Sequence, residues 1–296
     1  MTCLKAILAV LLSALLFPAH PALAEESTKT SSDPVDISTK ILGGTESEPG
    51  DWPWMAALLR SSVADIFLAQ YCSGALIDKN WILTAGHCVK GLSPADINVA
   101  VGVYDLSNFS GSRIPIKSIH LHPGYNATNL TNDIALIELS QASDQPTIPL
   151  FSGESIEDAP ASLSGRMLTT LGWGLADGTS SWYWPERLRQ VNLPVVADSY
   201  CNNIYPYPLI ASQLCVGYYE GKDACSGDSG GPLVTLIDGR WTHVGLVSYG
   251  ARCEDYFGWY GVYTRTSEFE DFIKSYAPAA HFTRKPPLPW MILLMH

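Results

Sequence analysis

From residue 41 onward the chain is a succession of short apolar runs, each ended within a few residues by Gly, Asn, Pro or Ser. The runs fall at 81–83, 97–103, 114–119, 134–139, 167–171, 190–196, 233–237, 244–249 and 261–264. Segments this short suit strands, because an amphipathic helix needs roughly ten residues or more to bury a face. Many short strands between turn residues predict a β sandwich or barrel. Strand–helix alternation is missing from the sequence, which argues against a parallel doubly wound sheet. Only 267–276 carries helical spacing, with Phe269, Phe272, Ile273 and Tyr276 on one stripe. Ser267 is its expected cap, and Glu268, Glu270 and Asp271 suit its positive end. No internal repeat is visible at the residue level.

The two ends read differently from this body. Lys5, the apolar run 6–17 and the small-x-small Ala22-Leu23-Ala24 predict a signal peptide over 1–24 and hence secretion. That run is shorter than the roughly 20 residues a membrane span needs. Residues 25–40 are polar, rich in Ser, Thr and Asp, and predict a loosely packed, protease-accessible segment. After residue 276 comes a Pro-rich tail, 277–296, with a short apolar end. The net charge of −11 argues against a nucleic-acid partner, which would want a basic stripe.

Of seven cysteines, Cys3 leaves with the signal peptide, and Cys72, Cys88, Cys201, Cys215, Cys225 and Cys253 remain. An even set in an exported chain reads as disulfides, and the sequence alone leaves their connectivity open. Zinc is the competing reading, but no Cys-x2-Cys or His pair has ligand spacing, so no metal is expected.

Gly227-Asp228-Ser229-Gly230-Gly231-Pro232 is the sharpest local signal. Glycines beside a serine leave its hydroxyl uncovered and let backbone N–H groups face a carbonyl; a Gly-rich surface turn would look the same. A serine hydroxyl is a poor nucleophile unless a base takes its proton. The candidate base is His87, which follows an apolar run and precedes Cys88. The candidate acid is Asp133, which opens another apolar run where an unpaired carboxylate would be costly. Taken singly, it would pass for a turn aspartate.

Together these segments resemble the chymotrypsin/trypsin family of serine peptidases from Ile41 to about Tyr276. The resemblance rests on Ile41-Leu42-Gly43-Gly44, Thr84-Ala85-Gly86-His87-Cys88, Asn132-Asp133-Ile134-Ala135-Leu136, Gly172-Trp173-Gly174, the 227–232 run and Gly261-Val262-Tyr263-Thr264. It implies an all-β fold of two packed antiparallel six-stranded barrels, about 41–150 and 151–266, closed by the helix 267–276. It also implies a catalytic triad of His87, Asp133 and Ser229, the very template by which this chemistry is generally described. Ser248 would support Asp133, and the N–H groups of Gly227 and Ser229 would form the oxyanion hole. The implied disulfides are Cys72–Cys88, Cys201–Cys215 and Cys225–Cys253, and no cofactor is needed.

The same resemblance puts Asp223 at the floor of the substrate pocket, with Gly250 and Gly261 in its walls, which implies cleavage after Arg or Lys. Ala224 stands where many relatives carry a serine, which favours Arg. Lys40-Ile41 resembles an activation junction, whose freed Ile41 amine would pair with Asp228. The expected partners are polypeptide substrates, an activating protease and protein inhibitors, met as a monomer. Gly86 replaces the family's common alanine, a loosening that should not abolish function. Two rival classes are a narrow-specificity regulatory protease of this fold and a non-catalytic binding protein, the latter expected to carry a substituted triad.

Overall fold

The computed structural model describes residues 44–153, 165–177, 182–217, 222–250 and 260–283. The expected signal peptide, Lys40, Ile41, Cys253 and the end of the tail lie outside the described residues.

Six strands build the first barrel: β1 (Met55–Arg60), β2 (Gln70–Asp78), β3 (Trp81–Thr84), β4 (Ile97–Val101), β5 (Ile114–Leu121) and β6 (Ala135–Leu139). They pair antiparallel in the closed order β1-β2-β3-β6-β5-β4, with β4 returning to β1. Side chains from every strand meet inside, among them Met55, Leu58, Leu76, Ile82, Val99 and Ile137. Burial of this kind supplies most of the favourable free energy of folding.

Six more strands follow: β7 (Met167–Gly172), β8 (Arg189–Pro194), β9 (Gln213–Gly217), β10 (Pro232–Ile237), β11 (Arg240–Tyr249) and β12 (Tyr260–Arg265). Their order is β8-β7-β10-β11-β12-β9. The sheet curls until its two ends meet at one bridge, Val195 to Val216, where Val196 N donates to Cys215 O at 3.0 Å. If each set is numbered one to six, both cyclic orders read 2-3-6-5-4-1. The chain therefore repeats a topology that its residues do not reveal.

The helical end differs from the sequence expectation. Thr266–Phe269 forms a 3-10 turn, the α-helix α1 spans Glu270–Tyr276, and Phe269, not Ser267, stands at the cap with no side-chain bond. The cause is Thr266, which is fully buried and whose hydroxyl bonds His243 Nδ1 at 3.0 Å. That bond ties the turn to β11 and delays the regular helix by about one turn. The helix then packs back on the first barrel: His122 meets Phe269 and Phe272 edge-on, and His120 lies 4.0 Å from Tyr276, ring centre to ring centre. The body continues beyond the helix, with Phe282–Thr283 pairing in parallel with Leu150–Phe151. Among the described residues no helix is long and apolar enough to cross a membrane.

Candidate active site

The first barrel contributes His87 and Asp133. Strand β3 ends at Thr84, and a 3-10 turn, Gly86–Cys88, carries His87 out of the barrel. The Cys72–Cys88 disulfide ties that turn to β2. A Cβ at Gly86 would lie 2.8 Å from Leu121 Cδ1, the tip of a flexible side chain, and 3.2 Å from Ile134 N. Asp133 leaves the chain just after Asn132, whose φ of 52° is a left-handed value that asparagine tolerates well. Its carboxylate is fully buried. Oδ1 accepts from His87 N at 2.8 Å, while Oδ2 accepts from His87 Nδ1 at 2.7 Å and from Ser248 Oγ at 2.5 Å. With Nδ1 donating to a carboxylate, the neutral ring keeps its lone pair on Nε2. That nitrogen points toward the disulfide, 3.7 Å from Cys88 Sγ.

The second barrel brings Ser229 to the same place. Gly230 has φ of 74°, and a Cβ on it would strike Thr84 Oγ1, Ser73 O and Ala85 N at 3.0 Å or less. Only glycine lets the 227–231 loop touch the backbone that leads into His87. Ser73 N also donates to Ser229 O at 2.8 Å, so the serine is seated on β2. Its side chain is half-exposed, and among the described residues Ser229 Oγ makes no hydrogen bond. Catalytic contacts of this kind commonly tighten only with substrate bound. Within this loop Asp228, Gly230 and Gly231 donate their N–H groups to Cys225 O, Val247 O and Asp228 O. The N–H groups of Gly227 and Ser229 have no acceptor among the described residues. Two uncommitted donors flanking a half-exposed serine suit a developing oxyanion.

Behind this loop Asp228 is fully buried, accepting from Gly174 N at 2.7 Å and Cys225 N at 2.8 Å. A Cβ at Gly172 or Gly174 would sit 2.0 or 2.4 Å from its carboxylate, so the Gly-Trp-Gly motif is the slot that admits Asp228. Burial pushes the carboxyl up to about 6, against those two amide bonds, and no cation faces it among the described residues. Asp223 is also buried, and among the described residues it accepts one hydrogen bond, from Ala224 N at 2.8 Å. Burial raises it to about 8, with the charge of Asp228 adding to the rise. Ideal Cβ positions on Gly217 and Gly261 lie 3.6 Å from Asp223 Oδ1, and that of Gly250 lies 3.9 Å from Gly261 Cα. Neither Gly217 nor Gly261 sets a side chain against this carboxylate.

Cys201–Cys215 forms a second disulfide, and Cys225 is disulfide-bonded as well, while Cys253 lies outside the described residues. Among the described residues one group of metal-type side chains comes together, Cys72, His87 and Cys88. Both sulfurs are in a disulfide and are therefore poor metal ligands.

Residues 41–273 match the Trypsin family. The chain belongs to the trypsin family of serine peptidases. It is 35% identical to Trypsin-3 of Salmo salar over 245 residues, 81% of this chain and 94% of that protein. To Trypsin I-P1 of Gallus gallus it is 36% identical, covering 80% of this chain and 88% of that one. To vitamin K-dependent protein C of Rattus norvegicus it is 34% identical, covering 86% of this chain but 55% of that protein. The chain thus spans about half the length of the protein C relatives, and less of Stubble and Masquerade of Drosophila melanogaster, 31% and 23%.

Within this trypsin-family site two supports escaped sequence reasoning. Thr264 Oγ1 donates to Asp133 O at 2.9 Å, and Gln70 Nε2 donates to Gly227 O at 3.0 Å. Thr264 was within a family motif, so its position was a usable signal. Gln70 had none, because a polar residue at a strand end looks like any surface residue.

Proposed function

We propose that the protein is a secreted serine endopeptidase, made as an inactive precursor, that hydrolyses peptide bonds after Arg in preference to Lys. The observation that carries this reading is the Asp133–His87 pair, buried at its carboxylate and met by the Ser229 loop through the side-chain-free face of Gly230. Ser229 Oγ attacks the scissile carbonyl carbon as its proton passes to His87 Nε2. The carbonyl oxygen becomes an oxyanion on the Gly227 and Ser229 N–H groups, each such donor contributing roughly 3 kcal/mol to lowering the barrier. Asp133 holds the ring orientation and stabilises the imidazolium. His87 then gives the proton to the leaving amine, the C–N bond breaks, and an acyl-enzyme remains. Water repeats the sequence, losing its proton to His87 and returning the serine hydroxyl. No metal or cofactor enters these steps.

Specificity follows from Asp223, which no cation faces among the described residues. A carboxylate buried with one amide bond gains most from a long cationic side chain, and Gly250 and Gly261 leave room for it. Ala224 adds no hydroxyl for a lysine ammonium, whereas a guanidinium reaches the carboxylate with two donors. Asp228 favours control by cleavage, because its burial wants a cation and the Ile41 amine freed after Lys40 would supply one. A narrow-specificity regulatory role keeps this chemistry and restricts access. The half-exposed Trp184 beside Gly227 favours it. The non-catalytic alternative loses ground because all three triad positions are intact.

The test uses the secreted chain before and after cleavage behind Lys40, with matched arginyl and lysyl anilides. Activity should appear only after cleavage, with Arg above Lys, and Lys40→Gln should yield inactive protein. A fully active Lys40→Gln chain would overturn precursor control, and equal rates on the two anilides would overturn the Arg preference.

A further inference from the structure

Asn126-Ala127-Thr128 and Asn129-Leu130-Thr131 are consecutive Asn-x-Thr sequons, the acceptor sequence for N-linked glycans, and only Asn132 separates them from Asp133. A further sequon, Asn108-Phe109-Ser110, lies on the loop after β4, away from the triad in sequence. The 126–131 segment is a closed turn, in which Asn126 N donates to Thr131 O at 3.1 Å. One side of it reaches the second barrel, where Gln213 Nε2 donates to Leu130 O at 3.4 Å. Gln213 also hydrogen-bonds Tyr249, which directly precedes Gly250. The other side continues from Tyr125, whose Cδ2 lies 3.2 Å from where a Cβ on Gly86 would stand, beside His87. The turn therefore bridges the rim of the cleft, from the candidate base to the candidate pocket wall.

We infer that Asn126 carries an N-linked glycan, which screens this rim from large protein ligands and leaves it open to small substrates. The inference rests on the proposed reading of a secreted peptidase. Asn126 is exposed, and its Oδ1 accepts from Thr128 N at 2.8 Å, the local turn that asparagine side chains favour. Among the described residues its Nδ2 and the Thr128 hydroxyl have no partner, so the amide and the hydroxyl of this sequon are both uncommitted. Asn129 differs: it is half-buried, and its Oδ1 accepts from Thr131 N at 3.3 Å and Thr131 Oγ1 at 2.9 Å, which spends its sequon hydroxyl inside the turn. The donor is a lipid-linked oligosaccharide of the export pathway. Asn126 Nδ2 forms a bond to the anomeric carbon and loses a proton, and the polyprenyl diphosphate leaves with the electron pair of the broken C–O bond. The product is bulky and strongly hydrated. A protein inhibitor must cover roughly 800 Å² of its target in one orientation, so a sugar chain rooted on the rim obstructs its approach. An anilide needs only the cleft itself.

The full chain, secreted by a eukaryotic cell line from its own leader, is treated with peptide-N-glycosidase in heavy-oxygen water and mapped by mass spectrometry. Asn126 should be recovered as isotope-labelled aspartate. Thr128→Ala keeps the turn, whose donor is a backbone N–H, yet removes the sequon; it should lower the intact mass by a single glycan, and Thr128→Ser should restore it. After maturation the parent chain and Thr128→Ala should cleave an arginyl anilide with kcat/KM equal within about twofold, while a Kunitz-type inhibitor domain should associate about three- to tenfold faster with Thr128→Ala. Enzymatic removal of the glycan from the parent chain should give the same gain. A secreted chain with Asn126 bare overturns the modification site, and an occupied Asn126 with equal association rates overturns its screening role. Neither result touches the peptidase reading, which falls if the anilide stays intact while the glycan is still counted by mass. A chain retained inside the cell overturns both secretion and the glycan.

Discussion

The two barrels share one cyclic strand order yet are finished differently. The first closes through continuous ladders, and its functional groups are held by several bonds: the Asp133 carboxylate accepts three hydrogen bonds and His87 is tied by a disulfide neighbour. The second closes through a single bridge, and its functional groups sit on loops with bonds left unmade. Asp223 and Asp228 are buried carboxylates without a cation among the described residues, and two loop amides donate to nothing. One barrel thus holds its groups by hydrogen bonds, whereas the other leaves two carboxylates without a cation among the described residues, the charges that the proposed reading draws from a substrate and from a freed chain end. Under the proposed reading, this difference sets a rigidly held base beside a more adjustable nucleophile loop, on one topology used twice.

The sharpest way to break this comparison is to disable each barrel in turn. His87→Ala and Ser229→Ala should each lower kcat by roughly 10⁵- to 10⁶-fold, and the double variant should be no worse than either single one. Steady-state kinetics on an arginyl anilide checks it. Effects that multiply instead would mean that the barrels act independently.

Next in size is the open charge of the second barrel. Asp223→Ser should lower kcat/KM on arginyl substrates by about 10²- to 10³-fold while sparing the triad's reaction with a small acylating reagent. The same group gives a pH signature. With Asp223 at about 8 in the empty pocket, a guanidinium ligand must displace a proton below that pH. Benzamidine affinity should therefore weaken about tenfold per unit as pH falls from 8 to 6, with proton release in calorimetry, and level off above 8. The sign for stability runs the other way. The folded, unliganded chain binds this proton more tightly than the unfolded one, so the group's contribution is present at low pH and is lost as pH rises toward 8. Affinity independent of pH would show that the pocket carboxyl is already balanced.

The smallest effect concerns the strut between the barrels. Gln70→Ala removes a donor to Gly227 O and should lower kcat about fivefold with KM little changed. A change confined to KM would assign Gln70 to substrate binding instead.

Much of this site was legible because its chemistry demands particular residue types. Gly230 must lack a Cβ to touch the Ala85 backbone, and Gly172 and Gly174 must lack one to admit Asp228; that steric demand is what makes the motifs recognisable. The strands were legible where alternation or β-branched residues marked them. Three were not. Strand β1 reads Met-Ala-Ala-Leu-Leu-Arg, good helix formers held extended because ladders on both sides and near-complete burial override local preference. Strand β2 is interrupted by Ser73 and Gly74, yet a Cβ at Gly74 would meet Ile82 and Leu83 O on the neighbouring strand β3. Strand β9 is five residues with a cysteine and a closing glycine, defined by its pairing with β12 rather than by its own pattern.

Treatment of the matured chain with an organophosphorus acylating reagent, followed by peptide mapping, tests the central claim most directly. One adduct per chain on Ser229 Oγ, with activity lost in proportion and labelling abolished in His87→Ala, is the predicted result. Full activity after exposure to the reagent, or inactivation with the adduct on any other residue, would contradict it.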